Sequence, residues 1–466
     1  MALNLPLKKI STEGWWPNSH DALVYQEGGH YYAKDRNGKV ICADSPSACI
    51  QEAVDFVSAL GGGKVLIGSG IFKVDYTIRP KSNITISGFG NSTVLLKTDI
   101  VDWNPDLRYR VFYGNGVSNV VIEDLVVDGN KDNLPWSGTA WDYHAVRFEY
   151  STNIDIRNIV VRYVKAGAGI VIKGGSKIRI IGNRVHDNGS QADKLPSDAI
   201  YVGHATDVIV AHNIAENVTD TGTACDNDND VIIIGNRYIN TLANGITWYN
   251  INNNPPYSNR AVIMGNIIHG AERGIWIDIN RDSGAPFAEN AWIVSNIILN
   301  TTIGIEIARA KNVFIEGNYI DTTSYAGIHT NNPNSTNIRI KNNVVVNGSV
   351  FGIGNEGNVS DIEIVGNVLI NNKYQITPLK GIIIDNIGFP TRNSGVAKFS
   401  GDGATTQFKI EHGLVSTPGK VVATPASADA TRNFYVTADS TYIYINYTTA
   451  PPSGTDNVVL YWYAEV

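Results

Sequence analysis

One short phrase recurs through the middle of the chain and restricts its fold more than any other feature. In each copy, alternating β-branched residues precede a small residue and an asparagine, as in IRIIGN, VIVAHN and VFIEGN. The asparagines, spaced 22 to 30 residues apart, are Asn158, Asn183, Asn213, Asn236, Asn266, Asn296, Asn318, Asn343 and Asn367. This spacing fits one three-stranded coil of a solenoid, whereas a β-propeller blade needs about 40 residues. The repeat predicts a parallel β-helix with an asparagine bonding the backbone at one turn of each coil.

A second phrase follows each asparagine at a fairly steady distance, as in GIVI, AIYV, GITW, GIWI and GIEI. Its isoleucine and valine residues alternate with variable ones, which is the period of a strand with one buried face. Each coil is therefore predicted to contain three strands, and the GIxI strands are predicted to stack into one sheet, called here the front sheet. Outward side chains of neighbouring coils would then form columns with a spacing of about 4.8 Å.

The residues before the repeats predict a capping helix. Ser45 is a suitable N-cap, Pro46 suits the first helical position, and Gly61 begins a run of three glycines that ends the helix. The apolar residues at helical spacing are Ile50, Ala53, Val54, Val57 and Leu60. Such a helix would cover the open end of the solenoid. Residues 1–40 are predicted to be an N-terminal β extension.

The end of the chain has a different character. Residues 397–466 alternate short strand patterns with turn sequences such as GDG, STPG and PPSGTDN. This pattern predicts a small β-sandwich. The predicted organisation is therefore all-β: a three-sheet parallel β-helix over residues 41–390, a linker at 391–396 and a C-terminal sandwich.

Two segments resemble a known family. ADSPSACIQEAVDFVSALGGGKVLIGSGIFKV resembles the opening of the pectate-lyase-like superfamily, and LVVDGNKDN resembles the DGN turn of that superfamily. The resemblance implies a right-handed parallel β-helix. It does not define the reaction, because the superfamily includes lyases, hydrolases, epimerases and inert spikes. The C-terminal segment is similar to modules of phage tail proteins, which implies an extracellular or virion-associated polysaccharide depolymerase that forms a homotrimer.

Composition excludes several other classes. The net charge of −7 comes without a basic stripe, so no nucleic-acid partner is expected. The chain has no run of about 18 apolar residues, so no membrane partner is expected, and its start lacks the apolar run of a secretory signal. A disulfide between Cys42 and Cys49 is left open by their spacing, and Cys225 is expected to be a buried thiol.

The front sheet is predicted to bind a polysaccharide. Its outward columns combine aromatic, acidic and basic side chains, and long loops flank it on both sides; Trp136 and Trp141 lie in one loop. A sugar ring has an apolar face and a polar rim, so this mixture suits it. The predicted substrate-binding residues are Tyr201, Tyr249, Trp276, Arg273, Asp198, Arg147, His144, His329 and Trp141.

Two carboxylate pairs on this sheet suggest hydrolysis. Asp226 and Asp278 fall in one column two coils apart, a separation of about 9–10 Å. Asp278 and Glu306 fall on adjacent coils with an offset of two residues, a separation of about 8 Å. Inverting glycosidases hold an acid and a base about 6.5–9.5 Å apart. The sequence therefore predicts a glycoside hydrolase in which Asp278 acts with Asp226 or Glu306.

Two alternatives remain open. A uronate lyase would use Tyr201 or Tyr249 as the base, with a cation such as Arg147, Lys173, Arg273 or His329 on the carboxylate. A non-catalytic adhesin would use the same groove for attachment. No cofactor is predicted. The run from Asp226 to Asp230 resembles a calcium loop but lacks its sixth-position glycine and twelfth-position glutamate, which favours a structural turn over a Ca²⁺ site.

Overall fold

The computed structural model describes residues 20–98, 110–134, 143–250, 258–279, 288–332, 334–357, 359, 361–377 and 381–466. These residues form two compact units. The first unit contains the described residues up to Glu272, and the second contains those from Arg273 onward. Among the described residues, no helix is both long and apolar enough to cross a membrane.

The first unit opens with a small antiparallel sheet and the predicted helix. The strands are Ala22–Glu27, His30–Asp35 and Val40–Asp44, and the helix is Pro46–Ala59. The Ser45 hydroxyl accepts a hydrogen bond from the Ala48 N–H, so the predicted N-cap is confirmed. Cys42 and Cys49 form a disulfide that joins the third strand to the helix. The helix face that carries Ile50, Ala53, Val54 and Val57 is buried.

The coils of the first unit are built from three parallel sheets. The front sheet consists of Arg110–Asn115, the N-terminal parts of His144–Arg157, Gly167–Ile181 and Ser197–Ala211, then Thr223–Asp226 and Asn244–Asn250. The second sheet consists of Gly63–Ile67, Ile84–Ser87, Ser118–Glu123, the C-terminal parts of the three long strands, Asn229–Ile234 and Asn259–Met264. The third consists of Gly70–Val74, Thr93–Lys97, Val126–Asp128, Val160–Arg162, Arg184–His186, Ile214–Val218, Arg237–Thr241 and Ile267–His269. Short 3-10 helices lie at Gly90–Ser92 and Lys131–Asn133.

The second unit contains the same three kinds of strand. Its front sheet consists of Arg273–Ile279, the C-terminal parts of Ile297–Ile307 and Tyr319–Thr330, Phe351–Gly354 and Tyr374–Thr377. The second sheet consists of Ala288–Val294, Ala310–Glu316, Thr336–Lys341, Ile362–Val365 and Ile382–Ile384. The third sheet consists of the N-terminal parts of Ile297–Ile307 and Tyr319–Thr330, followed by the separate strands Val344–Gly348 and Val368–Ile370.

The predicted register of the front sheet is confirmed within each unit. In the first unit, one column contains Arg147, Val171, Tyr201, Ala224 and Thr247. The next column contains Glu149, Lys173, Gly203, Asp226 and Tyr249. In the second unit, Trp276, Glu306 and His329 are level with one another. The alternate residues, such as Ile200 and Val202, are buried because they point into the apolar core.

A ladder of buried asparagines supports one turn of the coils. In the first unit it contains Asn183, Asn213, Asn236 and Asn266, and in the second unit Asn296, Asn318, Asn343, Asn367 and Asn386. Along the ladder, an amide oxygen accepts from the backbone N–H of the preceding asparagine, as Asn236 does from Asn213, and an amide group donates to a strand carbonyl, as Asn213 does to Ile180. The prediction was wrong for Asn158, which is exposed with a φ of 53°. Ile159 takes its place, donating its N–H to the Asn183 side chain.

The C-terminal residues form two three-stranded antiparallel sheets. One contains Arg392–Gly401, Lys420–Pro425 and Gly454–Glu465, and the other contains Gln407–Glu411, Phe434–Ala438 and Tyr442–Tyr447. A 3-10 helix lies at Ala428–Ala430. The two sheets enclose one apolar core that includes Ile443, Ile445 and Leu460. The segment 391–396, expected to be a linker, instead lies almost wholly within the strand Arg392–Gly401, because its backbone pairs with the final strand.

Candidate functional site

A tyrosine and an aspartate meet on the front sheet of the first unit. The Tyr201 hydroxyl donates a hydrogen bond to Oδ2 of Asp226, with 3.0 Å between the oxygens. Tyr201 is half-buried, and Asp226 is only 1% exposed. Burial, and then the charge of Asp226, raise the pKa of Tyr201 well above its usual range. Tyr201 is therefore a neutral phenol at physiological pH, in direct contact with a carboxyl group.

Gly203 creates the space for this contact. It is level with Asp226 in the adjacent coil, while Tyr201 is level with Ala224. The tyrosine ring therefore has to cross over Gly203 to reach the aspartate. A Cβ at position 203 would lie 2.8 Å from the Tyr201 hydroxyl and 3.0 Å from its ring. Any larger residue would displace the ring from the sheet surface.

Two further aspartates, the buried Asp198 and the half-buried Asp220, interact electrostatically near this contact. Asp198 is 2% exposed, and its Oδ1 accepts from the Thr221 N–H at 2.9 Å. Burial, and then the charge of Asp220, raise the pKa of Asp198 well above its usual range. Burial also raises the pKa of Asp220. The pair therefore retains a proton at a pH where an exposed aspartate would have lost it.

Tyr249 interacts electrostatically both with Asp226 and with the aspartates Asp198 and Asp220. It is level with Asp226 on the next coil. Burial, followed by the charges of Asp226, Asp198 and Asp220, raises the pKa of Tyr249. The two tyrosines and three aspartates, Asp198, Tyr201, Asp220, Asp226 and Tyr249, are called here the aspartate–tyrosine cluster.

The other aspartates after Asp226 have separate roles. Asp228 is fully buried, and its carboxyl group accepts from the backbone N–H groups of Ala205, at 2.6 Å, and Asp226, at 3.0 Å. Asp230 is exposed and pairs with Arg260. Asp228 thus fixes the turn that follows the strand of Asp226 and holds that strand against its neighbour.

Basic residues lie on the coils before the cluster. Arg147 donates to Glu149 at 2.7 Å and lies 2.9 Å from Nε2 of His144, so one carboxylate offsets much of its charge. Glu149 also accepts from the Tyr113 hydroxyl at 2.9 Å. Lys173 is exposed and occupies the column of Asp226, two coils away. Its ammonium group is therefore well placed to meet an anion on this face.

The second unit carries a different polar group on its own front sheet. Glu306 is 5% exposed and contacts Arg273, Asn331 and His329. Burial alone would raise the pKa of Glu306, but the hydrogen bond and charge of Arg273 and the nearby His329 lower it. The Arg273 guanidinium also lies 5.2 Å from the Trp276 ring centroid. Glu306 is therefore an ionised, fully engaged carboxylate.

The structure divides the residues predicted for the site into two groups. The first unit brings together Asp198, Tyr201, Asp226 and Tyr249, with His144 and Arg147 nearby on the same sheet. The second unit holds Arg273, Trp276, Asp278, Glu306 and His329, with Asp278 only 4% exposed. The predicted catalytic roles of Asp226, Asp278 and Glu306 remain predictions. Trp136 and Trp141 lie outside the described residues.

Some features differ from the sequence interpretation. Tyr201, Tyr249 and Trp276 are half-buried rather than freely exposed, because neighbouring side chains pack against them. Sequence reasoning also missed the Asp220 partner of Asp198, the role of Gly203, and the contacts of Tyr325 and Glu356 with His329. The role of Gly203 could have been inferred from the sequence, because the other first-unit residues of its predicted column have polar side chains. The other contacts involve residues outside the repeating strand positions.

These coils define the class of protein. The sequence pattern of the right-handed β-helix region family matches residues 110–282 and 256–389, more than half of the chain. The chain therefore belongs to this family, and the right-handed parallel β-helix expected from the sequence is confirmed.

Two relatives from Azotobacter vinelandii show local similarity. Mannuronan C-5 epimerase AlgE3 is 36% identical over 107 residues, which is 21% of this chain and 6% of the epimerase. Alginate lyase 7 is 28% identical over 171 residues, which is 34% of this chain and 20% of the lyase. The chain thus matches one fifth or less of the length of either relative.

Two solved structures share the fold. The A-module of A. vinelandii mannuronan C-5 epimerase AlgE4 has a TM-score of 0.58 and 18% identity, covering 73% of this chain and 96% of that one. A double mutant of the tailspike protein of E. coli bacteriophage HK620 has a TM-score of 0.55 and 12% identity, covering 93% of this chain and 92% of the tailspike. At these identities the similarity establishes the fold alone.

Proposed function

We propose that this protein modifies a uronate-containing polysaccharide on the front sheet of the first unit, by removing the proton alpha to a uronate carboxylate. The observation that carries the proposal is the hydrogen bond from Tyr201 to Asp226. This reaction needs a base at the sugar C5 and a way to stabilise the carboxylate charge that develops. The local similarity to a mannuronan epimerase and an alginate lyase supports this substrate class.

The Tyr201–Asp226 pair can supply the base. A neutral phenol is a poor base, but its contact with Asp226 provides an acceptor for the phenolic proton. As that proton passes to Asp226, the phenolic oxygen can take the C5 proton of the sugar, and the electron pair moves into the carboxylate. The tyrosine and aspartate are then both protonated, and the sugar is an enolate-like anion.

The aspartate pair can complete the reaction. In a lyase, the C5 electrons form the C4–C5 double bond and expel the O4 oxygen of the glycosidic linkage, which must gain a proton. A proton held on Asp198 or Asp220 suits this step, because burial raises the pKa of both carboxyl groups and the charge of Asp220 raises that of Asp198 further. In an epimerase, a proton would instead return to C5 from the opposite face. The cluster therefore has an acid as well as a base.

Lys173 is the residue that we assign to attract the uronate. It is exposed, whereas Arg147 is largely engaged by Glu149. The variant Lys173→Gln should raise KM for an acidic polysaccharide several-fold and leave a smaller dependence of KM on salt. Lys398→Gln, which changes an exposed lysine of a C-terminal strand, is the matched control. Equal KM values for the two variants would remove Lys173 from the site.

Hydrolysis is the second candidate, and the same aspartate pair favours it. A carboxyl group that keeps its proton can act as the general acid, with Asp226 as the base that activates water. The sequence-predicted pair of Asp278 with Glu306 belongs to this candidate. In the second unit, the lowered pKa of Glu306 suits the role of base rather than acid.

One experiment separates these reactions. The protein is incubated with alginate, polygalacturonate and a neutral glucan, and new reducing ends, ultraviolet absorbance of unsaturated uronate and the C5 configuration are followed. Reducing ends with absorbance identify a lyase, and reducing ends without it identify a hydrolase. Altered C5 configuration without cleavage identifies an epimerase. Binding with no change in the glycan would contradict an enzymatic function and support the adhesin.

The surroundings of the protein follow from the same proposal. A polysaccharide is the expected partner, and an extracellular or virion-associated location fits both a tailspike and a surface adhesin of Streptococcus pneumoniae that share the fold. A homotrimer remains a prediction.

A further inference from the structure

An aromatic ladder crosses three consecutive coils of the second unit. It consists of Tyr325, Phe351 and Tyr374. The ring centroids of Tyr325 and Phe351 are 5.4 Å apart, and those of Phe351 and Tyr374 are 5.9 Å apart. Tyr374 is 49% exposed, and the other two are half-buried. The ladder thus ends in a tyrosine ring that remains accessible to a ligand.

Polar groups border the ladder. The Tyr325 hydroxyl donates to Glu356, and Nε2 of His329 lies 2.8 Å from the same carboxylate. The His329 side chain is 7% exposed, and the Glu356 side chain is 45% exposed. The hydrogen bond to Glu356 raises the pKa of Tyr325 to about 12, so the phenol is neutral. The exposed Glu356 carboxylate, which accepts from the neutral Tyr325 phenol, therefore lies at the edge of the rings.

His329 gives an independent sign of a ligand site. Its Nδ1 atom is buried and has no hydrogen-bond partner among the described residues. The nearest carboxylate oxygen, Oε1 of Glu306, is 3.6 Å away, which is beyond hydrogen-bonding distance. Buried polar atoms usually have a partner, so a group that can bond here without moving the backbone would be stabilising.

The charges near the ladder nearly cancel. Glu306 is paired with Arg273, and the negative charge of Glu356 is offset by the Lys373 ammonium, which lies 5.4 Å from the Tyr374 ring centroid. A highly charged ligand would therefore gain little electrostatic binding energy at the ladder. Flat aromatic faces with hydroxyl-bonding groups at their edges instead suit the apolar face and polar rim of a sugar.

We infer that the second unit has its own non-catalytic saccharide site, in which Phe351 and Tyr374 stack against sugar rings and Glu356 and His329 bond sugar hydroxyls. This inference rests on the proposed function only for the expectation that the ligand is a polysaccharide. Binding depends on stacking and hydroxyl groups, so it persists in salt concentrations that screen the attraction of Lys173 for a uronate.

Affinity electrophoresis of the full chain tests the site. Native gels contain alginate, polygalacturonate or a neutral glucan, and retardation gives the affinity. The Tyr374→Ala and Phe351→Ala variants should each lose about tenfold in affinity. The control is Tyr461→Ala, which removes a tyrosine that is 59% exposed in a C-terminal strand. Circular dichroism melting confirms that each variant folds.

The outcomes separate this inference from the proposed function. Weaker retardation in the ladder variants, with an unchanged kcat on short oligosaccharides, supports the site. If the wild-type chain converts no glycan but the ladder variants still lose retardation, the proposed function fails and the saccharide site stands. Wild-type retardation in both ladder variants, or no retardation of the wild-type chain in any gel, overturns the inference.

Discussion

Tyr201 donates its phenolic hydrogen to Asp226 across two adjacent coils, with 3.0 Å between the two oxygens. The contact exists because stacked strands place residue 201 one column away from residue 226, and Gly203 leaves the space between them open. This arrangement converts two ordinary side chains into a coupled proton donor and acceptor. Three of the predictions below depend on it or on the aspartates beside it.

Removing the phenolic hydroxyl tests the contact directly. Tyr201→Phe should lower kcat on the substrate about 10²–10⁴-fold, because the C5 proton loses its acceptor. Glycan affinity should change little, since the ring remains, whereas Tm should fall by a few degrees because the buried Asp226 carboxyl group loses a hydrogen-bond donor. Tyr319→Phe is the matched control, because the Tyr319 hydroxyl makes a similar 3.0 Å hydrogen bond to Asp321 on another sheet. A Tyr201→Phe enzyme as active as the control would exclude this tyrosine from the chemistry.

A methyl group at position 203 should disturb the same contact without removing either partner. In Gly203→Ala, the Tyr201 ring must move because the new Cβ would lie 2.8 Å from its hydroxyl. We expect kcat to fall at least tenfold while Tm changes by only about 1–2 °C. Gly419→Ala is the control, since a Cβ at that position meets nothing within 4 Å. Steady-state kinetics and thermal melts of both variants measure the effect, and unaltered kcat in Gly203→Ala would contradict this role of the glycine.

The Asp198–Asp220 pair should make stability depend on pH. Burial, and then the charge of Asp220, raise the pKa of Asp198 in the folded state. An aspartate with a raised pKa favours the folded state at low pH, and this contribution is lost as the pH rises from the unfolded pKa, about 3.9, through the folded pKa. Asp198→Asn should therefore raise Tm by about 1–3 °C at pH 8 and have little effect at pH 4.

Thermal melts at the two pH values measure this difference. Asp207→Asn, which changes an exposed aspartate on the same long strand, should show no such pH dependence. Equal effects of Asp198→Asn at both pH values would show that the carboxyl group does not hold a shifted proton.

An asparagine of the buried ladder should contribute more to the free energy of unfolding than an exposed asparagine does. In Asn236→Ala, the Asn213 N–H loses its acceptor and the Val210 carbonyl loses its donor, and both groups are buried. Unsatisfied buried groups cost about 1–3 kcal/mol each, so the free energy of unfolding should fall by roughly 2–5 kcal/mol. Denaturant melts measure the loss. Asn37→Ala, in an exposed turn, should remain near wild type, and similar losses in the two variants would mean that the ladder is not specific.

The architecture could be predicted because it repeats. Alternating β-branched residues every 22 to 30 positions determine which side chains face inward, and each copy confirms the others. The front-sheet columns followed from this register, so Tyr201, Asp226 and Tyr249 were placed correctly. The error at Asn158 arose where a single position of offset moved an asparagine from the buried ladder to an exposed turn. The strand Arg392–Gly401 was partly mistaken for a linker because a polar strand at the edge of a sheet has no apolar pattern to mark it.

The sequence by itself determined the fold, its coil register and the polar face on which the chemistry is proposed, because these depend on a local pattern of apolar side chains. Tertiary structure decided which side chains touch. Tyr201 crosses Gly203 to reach Asp226, the charge of Asp220 acts on Asp198, and Glu306 is bound by Arg273. These contacts depend on rotamers, on the space left by neighbouring coils and on burial, and they determine the protonation state of each group.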